Sequence, residues 1–204
     1  MRIDHAIIGA RDIDAVAGRL WERHGLASLP GGRHAGWGTH NRIVPLAGPY
    51  LEIIGVADEH EALRDPMGRW LLAHTATGDP LMGWCCETAE IERVARRLAL
   101  AIERGGRERP DGTRLGWRVA GREGGFGERP FFIAWDEPGM RPGLLSAPHA
   151  VEVQGIARVE VGCRAEDLEG IVDAEVPVRA LGAGGGLRAV VIATADGEIR
   201  LTGD

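Results

Sequence analysis

Apolar and polar positions repeat with two different periods along this chain, and the changes of period mark out its elements. Residues 3–9 (IDHAIIG) read as a short strand. Residues 12–24 (DIDAVAGRLWERH) predict a helix: Ile13, Val16, Ala17, Leu20 and Trp21 fall at i, i+3, i+4, i+7 and i+8, one stripe facing a core. Asp12 suits its N-cap and Gly25 its end. The glycine-rich stretch LPGGRHAGWGTH reads as a loop. Residues 41–46 (NRIVPL) and 50–56 (YLEIIGV) are apolar runs separated by Ala47-Gly48-Pro49, a turn signal suited to a hairpin. Pro45 suits an edge or a bulge.

The same order returns further on. Residues 81–87 (LMGWCCE) read as a strand, and 90–103 (EIERVARRLALAIE) as a helix with Ile91, Val94, Ala95, Leu98 and Ile102 on one stripe. TRLGWRVAG and PFFIAWDE supply later strands. A fainter third copy begins at 156–163 (IARVEVGC), with a short helix over 166–172 and strands near 176–181, 187–194 and 197–201. Asp58 with Glu61, and Asp65 with Pro66, mark helix starts in a connector. The domain reading is therefore a first βαβββ module over 1–56, a helical connector over 57–80, a second module over 81–140, and a partial third module over 149–204 packed on the same body. The fold class is α+β, with repeated βαβββ modules in a cupped mixed sheet. The glycine-rich stretches 121–127 and 182–186 read as loops.

Composition narrows the chemistry. The chain has 204 residues, 44% of them hydrophobic, an ordinary globular balance. All 24 basic residues are arginine, so chemistry built on a lysine amine has no group to use. The formal net charge of −6 and the lack of a basic run argue against nucleic acid or an anionic membrane as partner. No apolar run is long enough for a signal peptide or a membrane span. Three cysteines without a CxxC fit a reduced, cytoplasmic setting, with Cys85 and Cys86 as buried packing residues.

Two polar residues interrupt apolar strands. His5 shares a face with Ile3 and Ile7, and Glu52 with Tyr50 and Ile54. If those faces point inward, Glu52 needs a cation, a donor or water. A divalent metal held by His5 and Glu52 meets that need; a direct hydrogen bond between them, or exposure to solvent, meets it equally. The stretch GGRHAGWGTHN concentrates Arg33, His34, Trp37, Thr39, His40 and Asn41, either as a ligand-binding loop or as an exposed one whose Trp37 packs on the core. Arg96-Arg97 and Arg107–Arg109 read as short solvated charge runs.

The segments IDHAIIGARDID, GGRHAGWGTHNRIVPL and PYLEIIGV resemble the glyoxalase-like branch of the vicinal oxygen chelate (glyoxalase/bleomycin resistance/dioxygenase) superfamily. GWCCETAEIERVARRL, RPDGTRLGWRVAG and RPFFIAWD resemble its second half. The resemblance spans about residues 2–140, and 149–204 more loosely. It implies a divalent metal held by a histidine from a module's first strand and a glutamate from its last, here His5 and Glu52, with no organic cofactor. The second module departs from the pattern, with Gly83 as the counterpart of His5, and Ile133 and Ala134 where a glutamate is expected. A third ligand stays open among His34, His149 and Glu198. The resemblance implies a metal-assisted isomerase, lyase or dioxygenase acting on a small oxygenated metabolite, with His34 or Glu52 as base. Trp37, Thr39, Asn41 and Trp84 are the expected substrate contacts. The alternative is a metal-free small-molecule binder or drug-sequestering protein with Trp37, Trp84 and Trp135 as walls. A small-molecule partner and a monomer or homodimer complete the expectations.

Overall fold

The computed structural model describes residues 1–34, 36–109, 111–122, 127–182 and 184–203. The first strand, β1 (Arg2–Gly9), leads to α1 (Ile13–His24), whose N-cap Asp12 accepts from the Asp14 and Ala15 amides and whose end is Gly25 at φ 66°. Three strands follow: β2 (Leu29–His34), β3 (Thr39–Pro45) and β4 (Tyr50–Val56). The connector is two helices, α2 (Glu59–Ala62) and α3 (Pro66–His74), each capped by the expected aspartate, Asp58 and Asp65. Then come β5 (Leu81–Glu87), α4 (Ile91–Leu98), β6 (Ile102–Glu108), β7 (Arg114–Ala120) and β8 (Phe131–Trp135).

These eight strands close into one barrel in the order β1-β4-β3-β2-β6-β7-β8-β5. Each half has the same internal order: its first strand pairs parallel with its last, and the other pairs are antiparallel. The halves join at β1–β5, and again at β2–β6 through only Arg33↔Glu108 and His34↔Arg107. An eight-stranded barrel has an interior that side chains nearly fill, with room for one small ligand at most.

Within the barrel, two segments differ from the sequence reading. LPGGRHAGWGTH is not all loop, since its first part is strand β2. Its glycines allow this. A Cβ on Gly31 would collide with the Asn41 side chain, and Gly32 takes φ 143° against the Glu108 carbonyl. The helix expected over 90–103 stops at Leu98, where Ala99 takes the left-handed conformation, and Ile102 opens β6 instead.

The remaining strands are β9 (Val153–Val161), β10 (Val178–Ala180), β11 (Leu187–Thr194) and β12 (Gly197–Leu201), in a separate sheet of order β10-β9-β11-β12. They come in the sequence order expected but pair differently. The first strand lies inside, next to the second and third, rather than beside the last. The helix expected over 166–172 is reduced to a short 3-10 turn at Ala165–Asp167. Residues 123–126 of the loop expected at 121–127, and 183 of that at 182–186, lie outside the described residues.

The outer face of β1, β4 and β5 (Ile8, Leu51, Ile53, Trp84) is buried under α1 and the second sheet (Val159, Val161, Val190, Ile192). Helix α4 covers β7 and β8 through Ile91, Ala95, Ala120 and Ala134. Among the described residues no helix is long and apolar enough to cross a membrane.

Candidate functional site

The barrel interior holds a cavity of about 40 Å³. Strand alternation decides what enters it. On β4, Tyr50, Glu52 and Ile54 point inward, while Leu51 and Ile53 join the outer cluster. On β1 the alternation is broken. Ile3 pairs with Cys86 and His5 with Cys85, so Asp4 is an extra residue in a bulge. Ile3 therefore packs outside with Ala6 and Ile8, whereas His5 and Ile7 face the interior. The sequence reading put Ile3 on the face of His5. The bulge overturns that, and it turns Asp4 inward beside His5, which is how bulges re-aim side chains.

Asp4 is the residue that sequence reasoning missed. Its side chain is wholly buried. The His5 Nδ1–H donates to Oδ2 at 2.7 Å, and the Trp135 Nε1–H donates to Oδ1 at 2.9 Å. An ionised carboxylate only accepts, so the proton of this contact sits on His5 Nδ1 and the Nε2 lone pair is left for the cavity. Tyr50 stacks on the imidazole at 4.7 Å and Phe131 meets it edge-on at 5.4 Å. The ring is held on three sides.

Nε2 of His5 faces Oε2 of Glu52 at 3.7 Å, beyond direct hydrogen bonding. Glu52 Oε1 accepts from Asn41 Nδ2, and the same amide lies 3.3 Å from His34 Nε2. Arg107 Nη1 donates to Asn41 Oδ1 at 3.0 Å, which fixes the amide orientation. His34 Nε2 is then the acceptor, and its Nδ1–H donates to Thr39 Oγ1 at 2.8 Å. Burial lowers the His34 pKa to about 4, with Glu52 opposing and Arg107 and Arg122 assisting, so the ring is neutral at neutral pH.

The second half of the barrel contributes shape. Trp117, Val119, Phe131, Ile133 and Trp135 line the cavity, with Trp37 and Met67 from the first half and the connector. Ile133 occupies the middle inward position of β8, as Glu52 does on β4. Cys85, across from His5, has its thiol pKa pushed well above the usual value by burial. Arg122 stacks over Trp37 at 4.3 Å and is ion-paired with Asp65 and Glu103.

Of the residues expected to meet substrate, Trp37 and Asn41 line the cavity. Thr39 sits behind His34 and holds its ring. Trp84 is a correction: it is fully buried on the outer face of β5, in the cluster under the second sheet, because it alternates away from Cys85. Trp135 is at the wall and also bonds Asp4. Arg107, read as part of a solvated run, is buried at the β2–β6 seam. Its signal in the sequence is faint, one arginine between glycines and glutamates.

His5 and Glu52 fit two positions around a metal ion. Among the described residues no group of three or more histidine, cysteine or acidic side chains is arranged to hold one. The lone pair of His34 is taken by Asn41, His149 is engaged by the Ala27 amide and the Pro45 carbonyl, and Glu198 pairs with Arg158 on the second sheet. Cys85 and Ile133 add no ligand from the second half. The set is short of the three protein ligands usual at a catalytic ion.

The family model of the glyoxalase-like domain matches residues 3–173. A search of curated protein sequences finds no match. A solved structure described as a hypothetical protein from Staphylococcus aureus superposes with a TM-score of 0.60 at 15% identity, covering 98% of this chain and 85% of that one. A single-substitution variant of methylmalonyl-CoA epimerase from Streptomyces coelicolor, in complex with 2-nitronate-propionyl-CoA, superposes with a TM-score of 0.51 at 15% identity over 67% of this chain and 99% of that one. At that identity the likeness speaks for fold alone, and it agrees with the paired-module barrel. With a family match over most of its length, the chain belongs to the glyoxalase-like domain family.

Proposed function

We propose that this protein is an enzyme that moves a proton on a small oxygenated metabolite, an isomerase- or lyase-type reaction. The observation that carries this is the buried Asp4–His5 pair, whose free Nε2 is aimed at the cavity opposite Glu52. His5 Nε2 takes a proton from a carbon next to a carbonyl. The electron pair left behind passes into that carbonyl as an enolate. Asp4 accepts from Nδ1–H throughout and stabilises the imidazolium, as a carboxylate behind a histidine does. The His5 imidazolium returns the proton to carbon for isomerisation; departure of a neighbouring group makes the reaction an elimination. In this reading His34 holds Asn41 in place rather than acting as base.

Deuterium incorporation tests it. Small oxo and hydroxy compounds are incubated with the protein in D2O and examined by mass spectrometry. Exchange at a carbon next to the carbonyl, lost in His5→Gln, is the expected result. An absence of exchange across the set, or equal exchange in the variant, refutes the reading.

A divalent ion held by His5 and Glu52 is the second reading, favoured by the 3.7 Å gap between their facing atoms and by the carboxylate behind His5, a common arrangement at metal-bound histidines. Metal analysis of protein purified without chelator, and of His5→Ala, separates the two. A stoichiometric ion that disappears in the variant supports the ion; equal trace metal in each refutes it.

A further inference from the structure

We propose that Arg107 is the seat of a ligand carboxylate, so that the molecule entering the cavity is a small monoanionic carboxylic acid. This rests on the reading of the cavity as the substrate site, and it names the substrate class.

The inference comes from two arginines in one cavity. Arg122 is balanced: it is ion-paired with Asp65 and Glu103. Arg107 is only 6% exposed, yet among the described residues its one side-chain hydrogen bond goes to the neutral Asn41 Oδ1, and no carboxylate lies within ion-pair distance. A guanidinium has five N–H donors and stays charged in proteins. Glu52 attracts Arg107 only through space and through the bridging Asn41, so most of the Arg107 donors have no direct partner, and an anion delivered by the ligand takes them up. The fork also matches a carboxylate in geometry.

The surroundings are built around this group. Gly31 on β2 makes room for it: a Cβ there would stand 2.6 Å from Arg107 Nη1 and would overlap Asn41 Oδ1. The β2–β6 seam fixes Arg107 opposite His34. Through Asn41, Arg107 is tied to Glu52, and Glu52 faces His5. A carboxylate on Arg107 thus belongs to a molecule whose next atoms enter the space before His5. The size of the cavity, about 40 Å³, admits only a few atoms. Glu52 in the same space disfavours a dianion, which selects a carboxylate over a phosphate.

Tryptophan fluorescence of the full chain reads the binding, because Trp37, Trp117 and Trp135 line the cavity. Acetate, propionate, glycolate, lactate and pyruvate are titrated, each beside its uncharged amide, with inorganic phosphate in parallel. The expected result is a saturable response to at least one acid, with its amide at least about tenfold weaker. Arg107→Gln is expected to weaken that acid about tenfold to a hundredfold and to leave the amide unchanged. Arg107→Lys keeps charge without the fork and is expected to fall between. If Arg107→Gln fails to fold, the lysine variant and the acid–amide comparison decide. Equal binding of acid and amide, no response to any acid, tighter binding of phosphate than of every acid, or wild-type affinity for the acid in a folded Arg107→Gln or Arg107→Lys each overturns the proposal. No turnover is needed. Acid binding through Arg107 without deuterium exchange removes the proton-transfer reading and leaves this one standing.

Discussion

The two halves of the barrel share a strand order and divide the work. The first half brings Asp4, His5, His34, Asn41 and Glu52 to the interior, an almost continuous polar chain. At the matching inward positions the second half has Trp117, Val119, Phe131, Ile133 and Trp135. Among the described residues its polar groups at the cavity are two arginines, Arg122 in direct ion pairs and Arg107 without one. The same backbone unit can therefore present polar groups or apolar ones to a cavity. Alternation sets which positions face inward, and the identity of three or four side chains sets the role.

This contrast can be broken by experiment. The largest effect is expected for His5→Gln, a fall of about 10²–10⁴-fold in the deuterium exchange rate with the fold retained by circular dichroism. Should Trp117→Ala remove exchange while His5→Gln keeps it, the division of labour is reversed. Next, Arg122→Gln strands the buried Asp65 carboxylate, and urea unfolding is expected to show a loss of about 3–5 kcal/mol. The same measurement on Arg107→Gln should show no such loss, since no acid is paired with it.

His34 gives a pH-dependent effect. Its native pKa of about 4 lies below the ordinary 6.5, so the unfolded chain binds more protons between those values. Stability is full above about pH 6.5 and falls as the pH drops towards about 4, by up to about 3 kcal/mol. Urea unfolding across that range should show this slope in the wild type and a smaller one in His34→Gln. The smallest effect belongs to the apolar half. Ile133→Val is expected to cost about 1 kcal/mol and to leave the exchange rate within about twofold.

Much of the fold was legible because local periodicity reports burial directly. The α1 stripe, its caps and the 41–46 and 50–56 hairpin follow from residue spacing and turn residues alone. Trp21 is the exception on that stripe, 48% exposed. His5 and Glu52 stood out as polar residues in apolar strands, and the structure brings them face to face. Asp4 did not stand out, since alternation assigns it to the opposite face. Arg107 did not either, since its run of arginines, glutamates and glycines resembles a solvated loop. Trp84 looked like a wall residue, yet an apolar strand with both faces covered gives no hint of which side a tryptophan takes.

The sequence by itself determined where β1, α1, β3, β4 and β5 lie and which imidazole and carboxylate interrupt the apolar pattern. Those properties are local: they depend on spacing, caps and turns within a dozen residues. Only the tertiary structure decided that a bulge turns Asp4 onto His5, that the β2–β6 seam buries Arg107 beside Asn41, and that the last four strands pair in their own order. Each of these is a pairing between segments far apart in the chain, and side-chain periodicity carries no record of the partner a strand will meet.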